Sequence, residues 1–150
     1  MKIVKVNGLN KDFYNLCKKL EDFQFNLIPI LKQKNYTLTD NLQEITGFVL
    51  YSNNLPIGCI GLKKINDDVC EIVRVFVEEK YRGNGYASLL FDKIENLAKE
   101  LNFKKLEMVA WCDAKSAVRL YEKVGYSKGK EKISEWFGGY KYVEFFKLFE

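Results

Sequence analysis

The chain has 150 residues, 47% of them hydrophobic and 29% charged, with a formal charge of +4 and no histidine. That balance suits one globular domain that buries about two-thirds of its unfolded surface, and excludes a disordered chain. The missing histidine excludes Ser-His-Asp and Cys-His nucleophilic machinery, histidine-ligated metals and imidazole acid–base chemistry, leaving proton transfer to Asp, Glu, Tyr, Lys, Cys, water or backbone.

The N-terminal MKIVKVNGLNK has no signal-peptide core, and no apolar run approaches the roughly 20 residues of a membrane span, so a cytoplasmic protein is expected. Lys2 to Val6 alternates as a short strand. Asn10 caps a helix in which Phe13, Leu16, Cys17 and Leu20 recur on one face. Phe23 to Leu31 is apolar, with Pro29 breaking it into a turn and a short second helix. Asn35 to Asn41 is polar, either a plain connector or a substrate-side lid.

From Glu44 the period becomes that of strands. Ile45 to Tyr51 and Pro56 to Ile65 are joined by a turn at Ser52-Asn53-Asn54, and Gly58 and Gly61 point to close packing or a bulge. Asn66-Asp67-Asp68 turns the chain into a third strand, Glu71 to Val77, completing an antiparallel meander. A long amphipathic helix follows, with Ala87, Leu90, Phe91, Ile94, Leu97, Ala98 and Leu101 on one face and Asn102 as its stop. Lys105 to Trp111 is a strand. The long helix before it predicts a right-handed crossover to a parallel neighbour of the Glu71–Val77 strand.

Asp113 is expected to cap the next helix, which carries Ala117, Leu120, Tyr121 and Val124 on one face and ends at Gly125. Tyr126 to Trp136 and Tyr140 to Leu148 close the chain as two strands around Gly138-Gly139. No repeat or domain boundary interrupts residues 1–150, which read as a single α/β (α+β) domain, a mixed sheet with helices on its faces. Cys17, Cys59, Cys70 and Cys112 form no CxxC pair and read as reduced, mostly buried thiols. Cys112 falls near a strand end close to the site developed below. No metal is expected. Lysines are scattered and no arginine cluster marks a helix face, so neither nucleic acid nor membrane is expected as a partner.

The chemistry concentrates after Val77. Arg82-Gly83-Asn84-Gly85-Tyr86-Ala87 is a tight loop at a helix start, where backbone N–H groups and the helix dipole favour an anion. Gly85 and Ala87 let the backbone approach a ligand closely, and Arg82 shapes or electrostatically supports the loop. It is no Walker loop, since Gly-Lys-Ser/Thr is absent, and no GxGxxG dinucleotide fingerprint.

In order, the chain carries EIVRVFV (Glu71–Val77), four residues, RGNGYA (Arg82–Ala87), a long amphipathic helix, a strand, and AVRLYEKVGY (Ala117–Tyr126). This arrangement resembles the GNAT N-acetyltransferase superfamily, covering roughly Ile45 to Tyr126. The resemblance implies a mostly antiparallel sheet of about seven strands, with a central parallel pair splaying apart and helices on both faces. It implies acetyl-coenzyme A as acyl donor, with the backbone of Val75, Phe76 and Val77 along the pantetheine arm. Arg82, Gly83, Asn84, Gly85, Tyr86, Ala87 and Ser88 would then hold the pyrophosphate.

Tyr121 stands where this superfamily commonly uses a tyrosine as general acid; the other reading is a core-facing aromatic. Backbone N–H near Val75 or Phe76 would meet the developing oxyanion. For the general base, Glu71 comes first and Asp113 second, against a solvent-facing strand residue, a helix cap, or a water relay with no dedicated base. Ala114 departs from the asparagine often found there to contact the cofactor arm. Trp136, Phe137, Tyr140 and Tyr142 line an acceptor pocket or pack as core or interface.

The function implied is acetyl transfer from acetyl-coenzyme A to a primary amine of a small molecule or peptide, by a monomer or homodimer. The alternatives are a non-catalytic coenzyme A-binding sensor or scaffold, and a protein using the glycine loop for another nucleotide's phosphate.

Overall fold

The computed structural model describes residues 1–149. Seven strands form one sheet: β1 (Lys2–Asn7), β2 (Ile45–Ser52), β3 (Leu55–Lys64), β4 (Val69–Val77), β5 (Lys105–Trp111), β6 (Ser127–Ser134) and β7 (Tyr140–Leu148). Their order is β1-β2-β3-β4-β5-β7-β6, and every neighbouring pair is antiparallel except β4 with β5. The helices are α1 (Lys11–Leu27), the four-residue α2 (Ile30–Gln33), α3 (Tyr86–Glu100) and α4 (Lys115–Lys123).

Strand alternation divides the sheet between two cores. Leu50, Ile60, Ile72, Met108 and Phe145 pack with Leu90, Phe91 and Ile94 of α3, while Val49, Cys59 and Phe76 face Phe13, Leu16 and Cys17 of α1. Phe13 reaches the sheet because Gly47 and Gly61, paired across β2 and β3, leave space there; a Cβ on Gly61 would sit 2.7 Å from Ile45 Cγ2 and 3.3 Å from the Phe13 ring.

The functional shape comes from β4. It pairs with β5 only through Val69↔Lys105, Cys70↔Leu106 and Glu71↔Glu107, whereas β5 stays paired with β7 along its whole length, Lys105 to Trp111. Beyond Glu71 the two parallel strands therefore part. In the same stretch β4 carries a bulge against β3: Cys59 pairs with Phe76 and Gly61 with Val73, so Arg74 and Val75 together oppose Ile60. Arg74 turns the chain in the left-handed region, at φ +59.

Two local expectations change, and the first helix acquires a defined end. It continues past Leu20. It runs to Leu27 and is still bonding at Ile28, whose N–H donates to Gln24 O at 2.8 Å, because nothing before Pro29 breaks it. Asp113 is not the N-cap of α4. The Ala114 N–H donates to Trp111 O at 2.9 Å and leaves Ala114 in the cap position, with no side-chain cap bond. Strand β6 stops at Ser134 rather than Trp136, because the Ser134 carbonyl accepts the N–H groups of Phe137 and Gly139 and closes a turn. Asn102 takes the left-handed stop expected of it, at φ +66.

Candidate active site

A cavity of about 360 Å³ opens where β4 leaves β5. Val75, Phe76 and Val77 form one wall; Gly83, Gly85 and the first turn of α3 (Tyr86, Ala87, Ser88) form the second. The start of α4 (Ala114, Ser116, Ala117) and Tyr121 form the third.

Two helix N-termini converge here, and neither is capped by a side chain. The first bond of α3 runs from Leu89 N to Gly85 O (3.3 Å), and that of α4 from Val118 N to Ala114 O (3.1 Å), so the N–H groups before them have no intrahelical acceptor. Gly85 is the N-cap of α3 at φ +79, with Gly83 at φ +81, and a Cβ on either would meet nothing within 4 Å. The loop is thus shaped by backbone conformation and open on its outer side, where a large anion can approach.

Arg82 also lines the cavity and braces the loop. Its Nε donates to Val77 O at 2.8 Å, and its guanidinium lies 4.9 Å from the Phe23 ring and 5.7 Å from the Phe76 ring. It ties the loop to the end of β4 and α1. Asn84, expected at the anion site, is absent from the cavity wall; its Nδ2 donates to Tyr81 O at 3.0 Å, bracing the turn.

Tyr121 is buried at 8% exposure, its ring edge-on to Phe145 (5.5 Å) and Phe91 (5.9 Å). Burial pushes its phenol up to about 12, and the nearby Tyr36 adds to the effect, so it keeps its proton across the neutral range. It is both a core aromatic and a cavity residue.

Glu71 is not on the cavity wall. It lies on the last rung shared by β4 and β5, at the apex of the gap, half-buried between Lys63 on β3 and Glu107 on β5. Burial raises its carboxyl above the ordinary value, with Lys63 and Arg74 pulling the other way. Asp113 is exposed and off the wall. Cys112 is also removed from this cavity: its thiol donates to Glu131 Oε1 (3.4 Å) in a separate recess with Lys115, Arg119 and Lys128.

The closing aromatics divide. Phe137 packs edge-on against Tyr36 (5.2 Å) and Trp111 (6.0 Å), and Trp111 against Tyr142 (6.2 Å). Trp136 is 75% exposed. Four rings from three segments thereby fasten the connector after α2 to the end of β5 and the last hairpin.

Over residues 11–126 the chain matches the model of the acetyltransferase (GNAT) family. The chain belongs to this family. An uncharacterized N-acetyltransferase of Methanocaldococcus jannaschii is 28% identical over 95 residues, covering 59% of this chain and 42% of that protein, so the chain spans less than half of that relative's length. Among solved structures, an acetyltransferase of Streptococcus agalactiae superposes with TM-score 0.73 at 18% identity, covering 99% of this chain and 98% of that one. A GNAT family acetyltransferase of Elizabethkingia anophelis with acetyl-CoA bound superposes with TM-score 0.71 at 18% identity, covering 99% and 97%. At such identities these GNAT structures share the fold.

Sequence reasoning missed several residues. Leu20, Phe23 and Gln24 of α1 also line the cavity; no local motif marks these residues as part of a site. Glu21 is 3% exposed and accepts hydrogen bonds from Lys18 Nζ (2.9 Å), Thr37 Oγ1 (2.9 Å) and Leu38 N (2.8 Å). Burial pushes its carboxyl up, but those bonds outweigh burial and hold it below the ordinary range. Its place one turn after Cys17 on the apolar face of α1 was the available clue. Arg74 Nε donates to Leu38 O at 2.9 Å, a long-range contact with no local sequence mark. Among the described residues, no helix is long and apolar enough to cross a membrane.

Proposed function

We propose that this chain, acting as one domain over residues 1–150, transfers acetyl from acetyl-coenzyme A to a primary amine of a small molecule or peptide by direct attack. The observation that carries the proposal is the convergence of two uncapped helix N-termini and the unpaired edge of β4 on one cavity. A diphosphate suits the first turn of α3, with Gly83 and Gly85 giving close backbone approach, and an extended amide-bearing arm suits the free edge of Val75–Val77. Ala114 offers only a methyl group, and the open N–H groups at the start of α4 take the place of a side-chain contact.

The amine nitrogen attacks the thioester carbonyl, forming the C–N bond and breaking the C–S bond. Val75 has no partner in either flanking ladder, which leaves its N–H for the oxyanion. Tyr121 gives a proton to the departing thiolate. Burial keeps the phenol protonated, so that the proton is available to the thiolate as it leaves. Glu71, at the apex of the gap, takes the amine's proton, directly or through water. A cytoplasmic setting keeps the four free thiols reduced.

The test mixes the protein with acetyl-coenzyme A and a panel of amines while free thiol is followed. Release above hydrolysis with some amine is expected. Binding of coenzyme A without release on any amine would favour a sensor or scaffold, a reading to which Ala114 and the position of Glu71 lend weight. Because the base works deprotonated, turnover should fall as pH drops through the raised value of Glu71, and Glu71→Gln should flatten that limb. A limb that persists in Glu71→Gln assigns the base elsewhere.

A further inference from the structure

The bulge of β4 sets the backbone of Arg74, but its side chain belongs neither to the core nor to the donor cavity wall. It stands three residues past the last rung joining β4 and β5, within the stretch where the strands have parted. Its backbone holds a left-handed conformation, φ +59, which a long side chain keeps only when its surroundings enforce it. The side chain is half-buried, and Nε donates to Leu38 O at 2.9 Å. The residue that receives it is itself fixed, since the Leu38 N–H and the Thr37 hydroxyl both donate to the buried Glu21.

This anchorage uses one of five guanidinium donors. Among the described residues, the two terminal nitrogens have no hydrogen-bond or ion-pair partner. A planar fork of spare N–H donors on a rigid mount is the arrangement that binds a carboxylate in bidentate fashion. Glu71, three residues earlier on β4, feels the guanidinium charge yet closes no ion pair with it. An acid and a base that stand near each other without pairing suit a ligand bearing both opposite charges.

We infer that the acceptor is an amine that also carries a carboxylate, the carboxylate held by Arg74 and the amine directed towards Glu71. This rests on the acetyl-transfer reading and narrows its acceptor to amino-acid-type compounds.

The test compares amino acids with their own carboxamides: alanine with alaninamide, phenylalanine with phenylalaninamide, lysine with lysinamide. Thiol release from acetyl-coenzyme A is followed, and rates are expressed per unprotonated amine. The wild-type protein should favour acid over amide by about tenfold or more in kcat/KM, as one charge-assisted pair predicts. Arg74→Gln keeps a donor for Leu38 without the charge, and should bring the ratio to within about twofold. Arg74→Lys, charged but without the fork, should fall between.

Melting curves establish that the variants fold; if Arg74→Gln does not, the wild-type ratio and Arg74→Lys decide. A wild-type ratio near one, or a ratio unchanged in a folded Arg74→Gln, overturns the inference and leaves acetyl transfer standing. Absence of release with every amine overturns both.

Discussion

The loop at Arg82–Gly85 and the connector at Asn35–Asn41 both fasten to β4 through an arginine, in opposite senses. In the first, the loop's Arg82 reaches the strand's Val77 carbonyl; in the second, the strand's Arg74 reaches the connector's Leu38 carbonyl. The glycine loop takes its shape from its own backbone, with Gly83 and Gly85 at positive φ and Asn84 bonding to Tyr81 three residues earlier. The connector takes its shape from Glu21, a distant buried carboxylate that gathers Thr37 and Leu38. A locally built loop survives the loss of any one side chain. A connector hung on one buried group does not.

The largest effect should come from the group between the two regions. Tyr121→Phe removes the proton donor and leaves the ring contacts with Phe91 and Phe145, so kcat should drop by about 10²–10⁴ with little change in coenzyme A affinity or melting temperature. Equal losses in turnover and donor binding would make Tyr121 a packing residue. Glu21→Ala should unfasten the connector, leaving a buried Leu38 N–H unpaired and costing roughly 2–4 kcal/mol in denaturant unfolding.

The same carboxylate has a pH signature. Because its native value lies below the ordinary range, its contribution is complete above the unfolded value and is lost as pH falls through the native one. Acid unfolding of Glu21→Ala should therefore depend less on pH than that of the wild type.

Gly85→Val tests the other side of the comparison. A β-branched residue at φ +79 is strained, and its side chain projects into the open space in front of the loop, so coenzyme A affinity measured by calorimetry should fall about tenfold or more. Unchanged affinity would place the diphosphate elsewhere. The smallest effect is expected from Arg82→Lys, which keeps the charge but loses the Nε–H bond and the planar contact with Phe23, for a few-fold loss of affinity. A loss as large as that of Gly85→Val would mean that the loop, like the connector, hangs on one side chain.

The shape of the glycine loop was legible because its determinants are adjacent in sequence. Strand, glycine pair and helix start occur within Glu71–Ser88, and their geometry follows from local chain stiffness and the unsatisfied N–H groups at a helix start. Tyr121 was placed by the periodicity of its short helix. Asp113 failed as a cap because the turn closed by Ala114 N–H and Trp111 O moved the helix start one residue on, a difference beyond the reach of propensity. The position of Glu71 at the apex of the gap was not legible, since it depends on where β4 and β5 stop pairing.

Alone, the sequence determined the seven strands, the main helices, the glycine loop at the start of α3 and the absence of histidine chemistry, all of them consequences of periodicity, glycine and composition. Only the tertiary structure decided the insertion of β7 between β5 and β6, the bulge of β4 against β3 at Arg74, and the contacts of Glu21 and Arg74 with the connector. Those features join residues 17 and 36 positions apart in the chain. Contacts over such separations are fixed by which faces must be buried together, and that is settled only when the whole chain packs.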